Sequence, residues 1–170
     1  MLYPGFTLLE LLVVLVIISL IAGFVGPRLG GSLTRLQLKT GTKKVASALR
    51  YARSQAASRC TPYVALLDFE DSTTTIQVHR PETDGEESAT EADDLHNPRP
   101  RHFRLPEGVR FDQAISGDEE WDAGIFVIGF YPDGASTGGR VILADEKDRR
   151  YAIDVDFITG TVTVTAVKQS

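Results

Sequence analysis

The chain has 170 residues, 42% of them hydrophobic and eight of them proline, enough for one modest folded domain beside an anchor and unlike a disordered polymer. Its formal net charge of −5 is unevenly distributed: residues 28–59 hold eight cations (Arg28, Arg35, Lys39, Lys43, Lys44, Arg50, Arg53, Arg59) and no acid, while the chain from Cys60 onward holds ten basic and 22 acidic residues, a net −12. An acidic folded part disfavours nonspecific nucleic-acid binding, which depends on neutralising phosphates, and a single cysteine, Cys60, excludes an intrachain disulfide.

The first element is an apolar run over residues 6–25, interrupted by one acid, Glu10. About 20 residues of helix span roughly 30 Å, one hydrocarbon core. A carboxylate near the start of such a helix costs about 3 kcal/mol on insertion scales, so Glu10 calls for a partner. Only Met1, Leu2, Tyr3, Pro4 and Gly5 precede the run. An ordinary secretory signal has a basic segment first and a cleavage site after its apolar stretch. Here a processing site would precede the helix, and cleavage would leave the helix on the mature chain. Pro4 and Gly5 keep that junction extended.

Gly5-Phe6-Thr7-Leu8-Leu9-Glu10, followed by Leu11-Leu12-Val13-Val14-Leu15, closely resembles the class III signal of type IV pilins and type II secretion pseudopilins. The resemblance implies that a membrane prepilin peptidase cuts between Gly5 and Phe6 and methylates the new amine of Phe6, and that Glu10 is the intramembrane glutamate of assembly. The family's leader carries Lys or Arg before the glycine, which this chain does not. The cations after the apolar run point to the opposite orientation by the positive-inside rule, and the motif outweighs that rule. The chemistry agrees with the motif. An amine on Phe6 of one subunit and Glu10 of its neighbour offset each other's desolvation, whereas either charge alone is costly. The competing reading is that Glu10 only snorkels to the headgroups.

Gly23, Gly26 and Pro27 close the apolar run and predict a kink over residues 22–27, with Gly30 and Gly31 weakening the helix further. From Thr42 onward Val45, Ala48/Leu49, Ala52 and Ala56 recur at helical spacing, a stripe suited to packing on a sheet, with Lys43, Lys44, Arg50 and Arg53 largely off it. One long interrupted helix over residues 6–58 follows, its basic residues read as a solvated face. Residues 49–56 are similar to the Ala-Arg-x-x-Ala helix of H-type pseudopilins and related type IV minor pilins.

After Cys60 the period becomes alternating. Strands are expected at 63–69, 74–80, 101–111, 125–131, 140–144, 150–157 and 161–167, with a long solvated acid- and proline-rich loop at 81–100. Residues 145–148 and Thr159-Gly160 read as hairpin connections, and Pro132-Asp133-Gly134 as a turn in which proline presets one φ and glycine takes the positive one. The fold class that follows is α+β, a long N-terminal helix packed on a C-terminal antiparallel sheet. Residues 130–139 and 156–162 resemble the corresponding H-type blocks, although Thr161 stands where arginine is common. The middle of the chain, residues 74–121, carries no such likeness.

Catalytic signatures are absent: no P-loop, no Gly-x-Ser-x-Gly elbow, no Cys-x-x-Cys pair. His79, His96 and His102 match no zinc spacing, and residues 117–122 lack the alternating acids of a calcium loop and read as a solvated acidic turn, so no metal, cofactor or catalytic residue is assigned. Trp121 reads as a packing anchor. Two other classes stand beside the main reading. An H-like minor pilin of type IV pili could bind DNA through Arg140, Arg149, Arg150 and Lys168, although Asp145, Glu146, Asp148, Asp154 and Asp156 interleave those cations. A membrane-anchored periplasmic enzyme would explain the anchor and leave Glu10 without a role.

The expected organisation is therefore a leader at 1–5, a transmembrane assembly helix at 6–26, an amphipathic stem at 27–58, and a periplasmic β-rich domain at 59–170 with a variable loop at 81–100. The resemblance implies a minor pseudopilin of H type, single-pass in the inner membrane. Its implied partners are other pseudopilins, the prepilin peptidase and the inner-membrane secretion platform.

Overall fold

Helix α1 (Leu8–Arg59) is a single element of 52 residues, about 78 Å long at 1.5 Å per residue. The computed structural model describes residues 7–79 and 98–167, with backbone alone for residues 22–32. Thr7 caps the helix start from an extended conformation (φ −81°, ψ 149°), its Oγ1 accepting the Glu10 amide at 3.2 Å. Cys60 ends it in the left-handed region (φ 49°), with its own amide and that of Thr61 both donating to the Ala56 carbonyl. The predicted interruption near Pro27 and Gly30-Gly31 does not divide the helix. A proline removes one intrahelical hydrogen bond, and the turns on either side carry the element through.

Nine strands follow: β1 (Tyr63–Asp68), β2 (Thr73–Val78), β3 (Arg101–Arg104), β4 (Val109–Ser116), β5 (Glu119–Trp121), β6 (Ile125–Phe130), β7 (Gly139–Asp145), β8 (Arg150–Val155) and β9 (Val162–Val167). They form two antiparallel sheets rather than the one expected, with orders β3-β2-β1-β6 and β5-β4-β7-β8-β9. The run expected as one strand over 101–111 is two, divided by Leu105-Pro106-Glu107-Gly108, where Gly108 has φ +73° and the Pro106 carbonyl accepts the Val109 amide at 3.2 Å. That turn lets β3 join the first sheet and β4 the second. Residues 117–122, expected as a solvated turn, form a hairpin through β5, and Trp121 packs on Phe126 with ring centroids 5.1 Å apart. The loop expected at 81–100 lies outside the described residues except for 98–100.

The core lies between the upper stem and both sheets. On α1, Leu38, Val45, Ala46, Ala48, Leu49, Ala52 and Ala56 are buried, the stripe the helical spacing predicts. They meet Tyr63, Ala65 and Leu67 of β1, Phe111 of β4, Ile128 and Phe130 of β6, Val141 and Leu143 of β7, and Ile153 of β8. Small residues let the stem sit close: a Cβ on Gly41 would approach Pro106 Cδ to 3.0 Å. At the far end Gly160 (φ +61°) closes the β8–β9 turn where a Cβ would stand 2.8 Å from the Gly134 carbonyl and 3.2 Å from Arg53 Cδ, so turn, loop and stem are clamped together.

Candidate functional site

Gly5 and Phe6 lie outside the described residues; Glu10 is described and sits in the first turn of α1, exposed. Thr7 at the cap and Glu10 three residues on have the spacing of a capping box, a signal present in the sequence but not singled out there. The arrangement fixes the entry of the chain into the helix and holds the carboxylate beside the positive end of the helix dipole. An amine placed one turn earlier on a neighbouring helix would meet this carboxylate where backbone amides already favour negative charge.

Beyond Glu10 the helix is apolar on every side. From Leu8 to Ile21 each large apolar side chain is at least 45% exposed, so no face of this segment is covered by the chain's own domain. A helix hydrophobic all round is one that is buried by something else. Among the described residues no helix is long and apolar enough to cross a membrane. The apolar run of the sequence extends past the described side chains at both ends, to Phe6 and to Val25.

The stem is tied to the second sheet by a polar link that sequence reasoning missed. Asp145, fully buried at the end of β7, accepts from the Lys147 amide at 2.9 Å, the Arg149 amide at 3.1 Å and Arg149 Nε at 2.7 Å. The Arg149 guanidinium also donates to Thr34 Oγ1 of α1 at 2.7 Å. Burial alone would raise the Asp145 carboxyl, but the hydrogen bonds from Arg149 and Lys147 outweigh it and hold the group below the ordinary carboxylate range. Asp156 is likewise lowered, chiefly by the amide and hydroxyl of Thr159, which it accepts at 2.8 and 2.9 Å.

The cations weighed as a nucleic-acid patch are paired with acids. Arg140 Nε contacts Asp154 Oδ1 at 2.5 Å, Arg150 Nε contacts Asp112 Oδ2 at 2.9 Å, and Arg149 is held by Asp145. Lys168 lies outside the described residues. His79 is exposed near the end of β2, His102 meets Thr75 Oγ1 from β3 at 2.9 Å, and His96 is outside the described residues. Among the described residues no three potential metal ligands converge.

Comparison with known proteins places these features in context. The family described as type II transport protein GspH matches residues 42–159, and a prokaryotic N-terminal methylation motif matches residues 4–26. The first match runs through residues 74–121, where residue-level resemblance had named nothing. The type II secretion system protein H of Xanthomonas campestris pv. campestris is 35% identical over 160 residues, covering 93% of this chain and 80% of that relative. Among solved structures, the minor pseudopilin EpsH of Vibrio cholerae superposes with a TM-score of 0.54 at 12% identity, covering 79% of this chain and 96% of that one. The type IV minor pilin FimU of Pseudomonas aeruginosa gives 0.50 at 12% identity, covering 77% and 90%. These structures carry the fold alone and do not separate pseudopilin from pilin; the sequence matches favour the first.

Proposed function

Because this chain belongs to the type II transport protein GspH family and is a minor pseudopilin of the type II secretion system, we propose that it acts by assembly rather than by chemistry, as a subunit of a filament that supports export of folded proteins across the outer membrane. The observation that carries the reading is the N-terminal segment. A helix capped at Thr7, with one carboxylate at Glu10 and no covered face through Ile21, is a rod built to be packed among other rods.

In this reading a prepilin peptidase cuts between Gly5 and Phe6, the Phe6 amine is methylated, and residues 6–26 cross the inner membrane once with the β-rich domain in the periplasm. Residues 27–58 are the stem and 59–170 the globular part, although helix packing onto the sheets already begins at Leu38. In the bilayer, hydrophobic attraction between apolar helices vanishes, so Glu10 pairing with a neighbour's amine and close packing direct entry into the filament. Once the stems rise out of lipid, burial at about 25 cal/mol per Å² of apolar surface helps hold them together. The membrane platform and the other pseudopilins are the partners this mechanism needs.

The test is the N-terminal sequence of the protein taken from membranes with an active prepilin peptidase. It should begin at methylated Phe6. An intact Met1, or a cut after Ala22, overturns the assembly reading. The alternative of a DNA-binding minor pilin is disfavoured by the pairing of Arg140, Arg149 and Arg150 with carboxylates.

A further inference from the structure

An open groove of about 510 Å³ lies where the exposed flank of the stem meets the first sheet, with Lys43, Lys44, Ser47 and Tyr51 of α1 on one side and Arg101 and Phe103 of β3 on the other. Its floor is apolar and aromatic; its rim is cationic. The Arg101 guanidinium sits 4.7 Å from the centroid of the Tyr51 ring, and Lys44 Nζ donates to the Arg104 carbonyl at 2.8 Å, so both heads are positioned rather than free to roam. Among the described residues no carboxylate pairs with Lys43, Lys44 or Arg101, whereas the cations of the second sheet (Arg110, Arg140, Arg149 and Arg150) all have one.

We infer that this groove is a docking site for an acidic, apolar-tipped segment of the globular domain of a neighbouring pseudopilin in the filament. Two features on the chain select that occupant. The first is continuity: exposed Leu33 and Leu36 lead at steps of three and four residues to Thr40, Lys43 and Ser47, so an uncovered stripe climbs the stem from the assembly segment into the groove. A subunit packed along the apolar rods lies against this stripe. The second is charge. The stem from Arg28 to Arg59 has eight cations and no acid, and the globular part is net −12, so a head of this composition meets a stem of this composition with opposite sign. The turn after β8, where Phe157 and Ile158 stand exposed beside Asp156, shows the kind of tip that fits an aromatic floor with a cationic rim. A lipid headgroup fits less well, since Lys43 lies about 27 Å of helix beyond Val25, the end of the apolar run.

The inference rests on the assembly reading and is tested separately from it. A photoreactive p-benzoylphenylalanine replaces Ser47 in the full chain, in cells with an intact secretion system, and a second strain carries it at Leu12 as a control in the apolar rod. Irradiation should give a Ser47 adduct to the globular domain of another pseudopilin, mapped to a segment with acids beside an exposed apolar residue. Lys43→Glu with Arg101→Glu should cut that adduct about tenfold, and Lys43→Gln with Arg101→Gln should cut it less. The Leu12 adduct and membrane level should stay unchanged in both. A Ser47 adduct to phospholipid or to an exported protein, one indifferent to charge reversal, or none while the Leu12 adduct persists, overturns the docking site. Loss of the Leu12 adduct in the unsubstituted background overturns the assembly reading and the docking site with it.

Discussion

A carboxylate taken out of water needs a partner fixed in its own chain or one that arrives later. Asp145 has the first kind: two amides and a guanidinium meet it in the fold. Removing one member of a buried pair leaves the other uncompensated, so Asp145→Ala should destabilise the domain by about 3 kcal/mol, read from the urea midpoint of the full chain in detergent. Its folded pKa is depressed, so its contribution is complete above the unfolded value near 4 and is lost as pH falls through the lower folded value. Below about pH 4 the stabilities of parent and Asp145→Ala should therefore converge. Constant separation of the two curves down to pH 2 would contradict the assignment. Among the described residues no side chain pairs with the Glu10 carboxylate, which stands exposed beside amides of its own helix. Glu10→Leu should leave cleavage before Phe6 intact and remove the subunit from sheared filaments. Full incorporation of the leucine variant would reduce the N-terminus to a tether.

At the scale of elements, the long helix divides into a half that its own domain leaves uncovered and a half that its own sheets cover. Leu49 is fully buried between α1 and the sheets, and Leu36 is 60% exposed one stretch below it. Leu49→Ala should cost about 3 kcal/mol of domain stability through lost burial and the cavity left behind, whereas Leu36→Ala should move the urea midpoint hardly at all. Equal effects would mean the helix docks along a different face. The buried stripe was legible because a 3.6-residue period survives any tertiary context that keeps one face dry. Six of the strands were legible from alternation for the same reason. The β4–β5 hairpin was not: Asp118, Glu119 and Glu120 read as solvated acids, and an edge strand is where charge is tolerated, since it deters pairing with another chain. The division of β3 from β4 was signalled by Pro106 and Gly108, yet the apolar residues on either side masked it. The Thr7–Glu10 cap was written in the sequence and overshadowed by the motif that contains it.

The whole molecule separates charge along its length, and that separation bears on both its neighbours and its exclusions. Alternation marks a strand but not its partners, so the split into two sheets, with β6 returning to β1 across some sixty residues, was not readable from local pattern; nor was the link from Asp145 through Arg149 to Thr34, which joins residues 115 positions apart. These long-range pairings also decide what the acidic domain can bind. A nucleic-acid surface needs cations whose counter-ions are mobile, because affinity comes from releasing ions condensed on the phosphates. Here Arg140, Arg149 and Arg150 already face Asp154, Asp145 and Asp112, and a phosphate would have to displace a fixed carboxylate at each. The full chain in detergent should therefore give no mobility shift with duplex DNA at physiological salt. Asp154→Asn and Asp112→Asn together, which free Arg140 and Arg150, should produce a weak shift that salt abolishes. Tight binding by the unsubstituted chain, lost on Arg140→Ala, would show that the carboxylates leave those guanidinium groups available and would move the balance to the pilin reading.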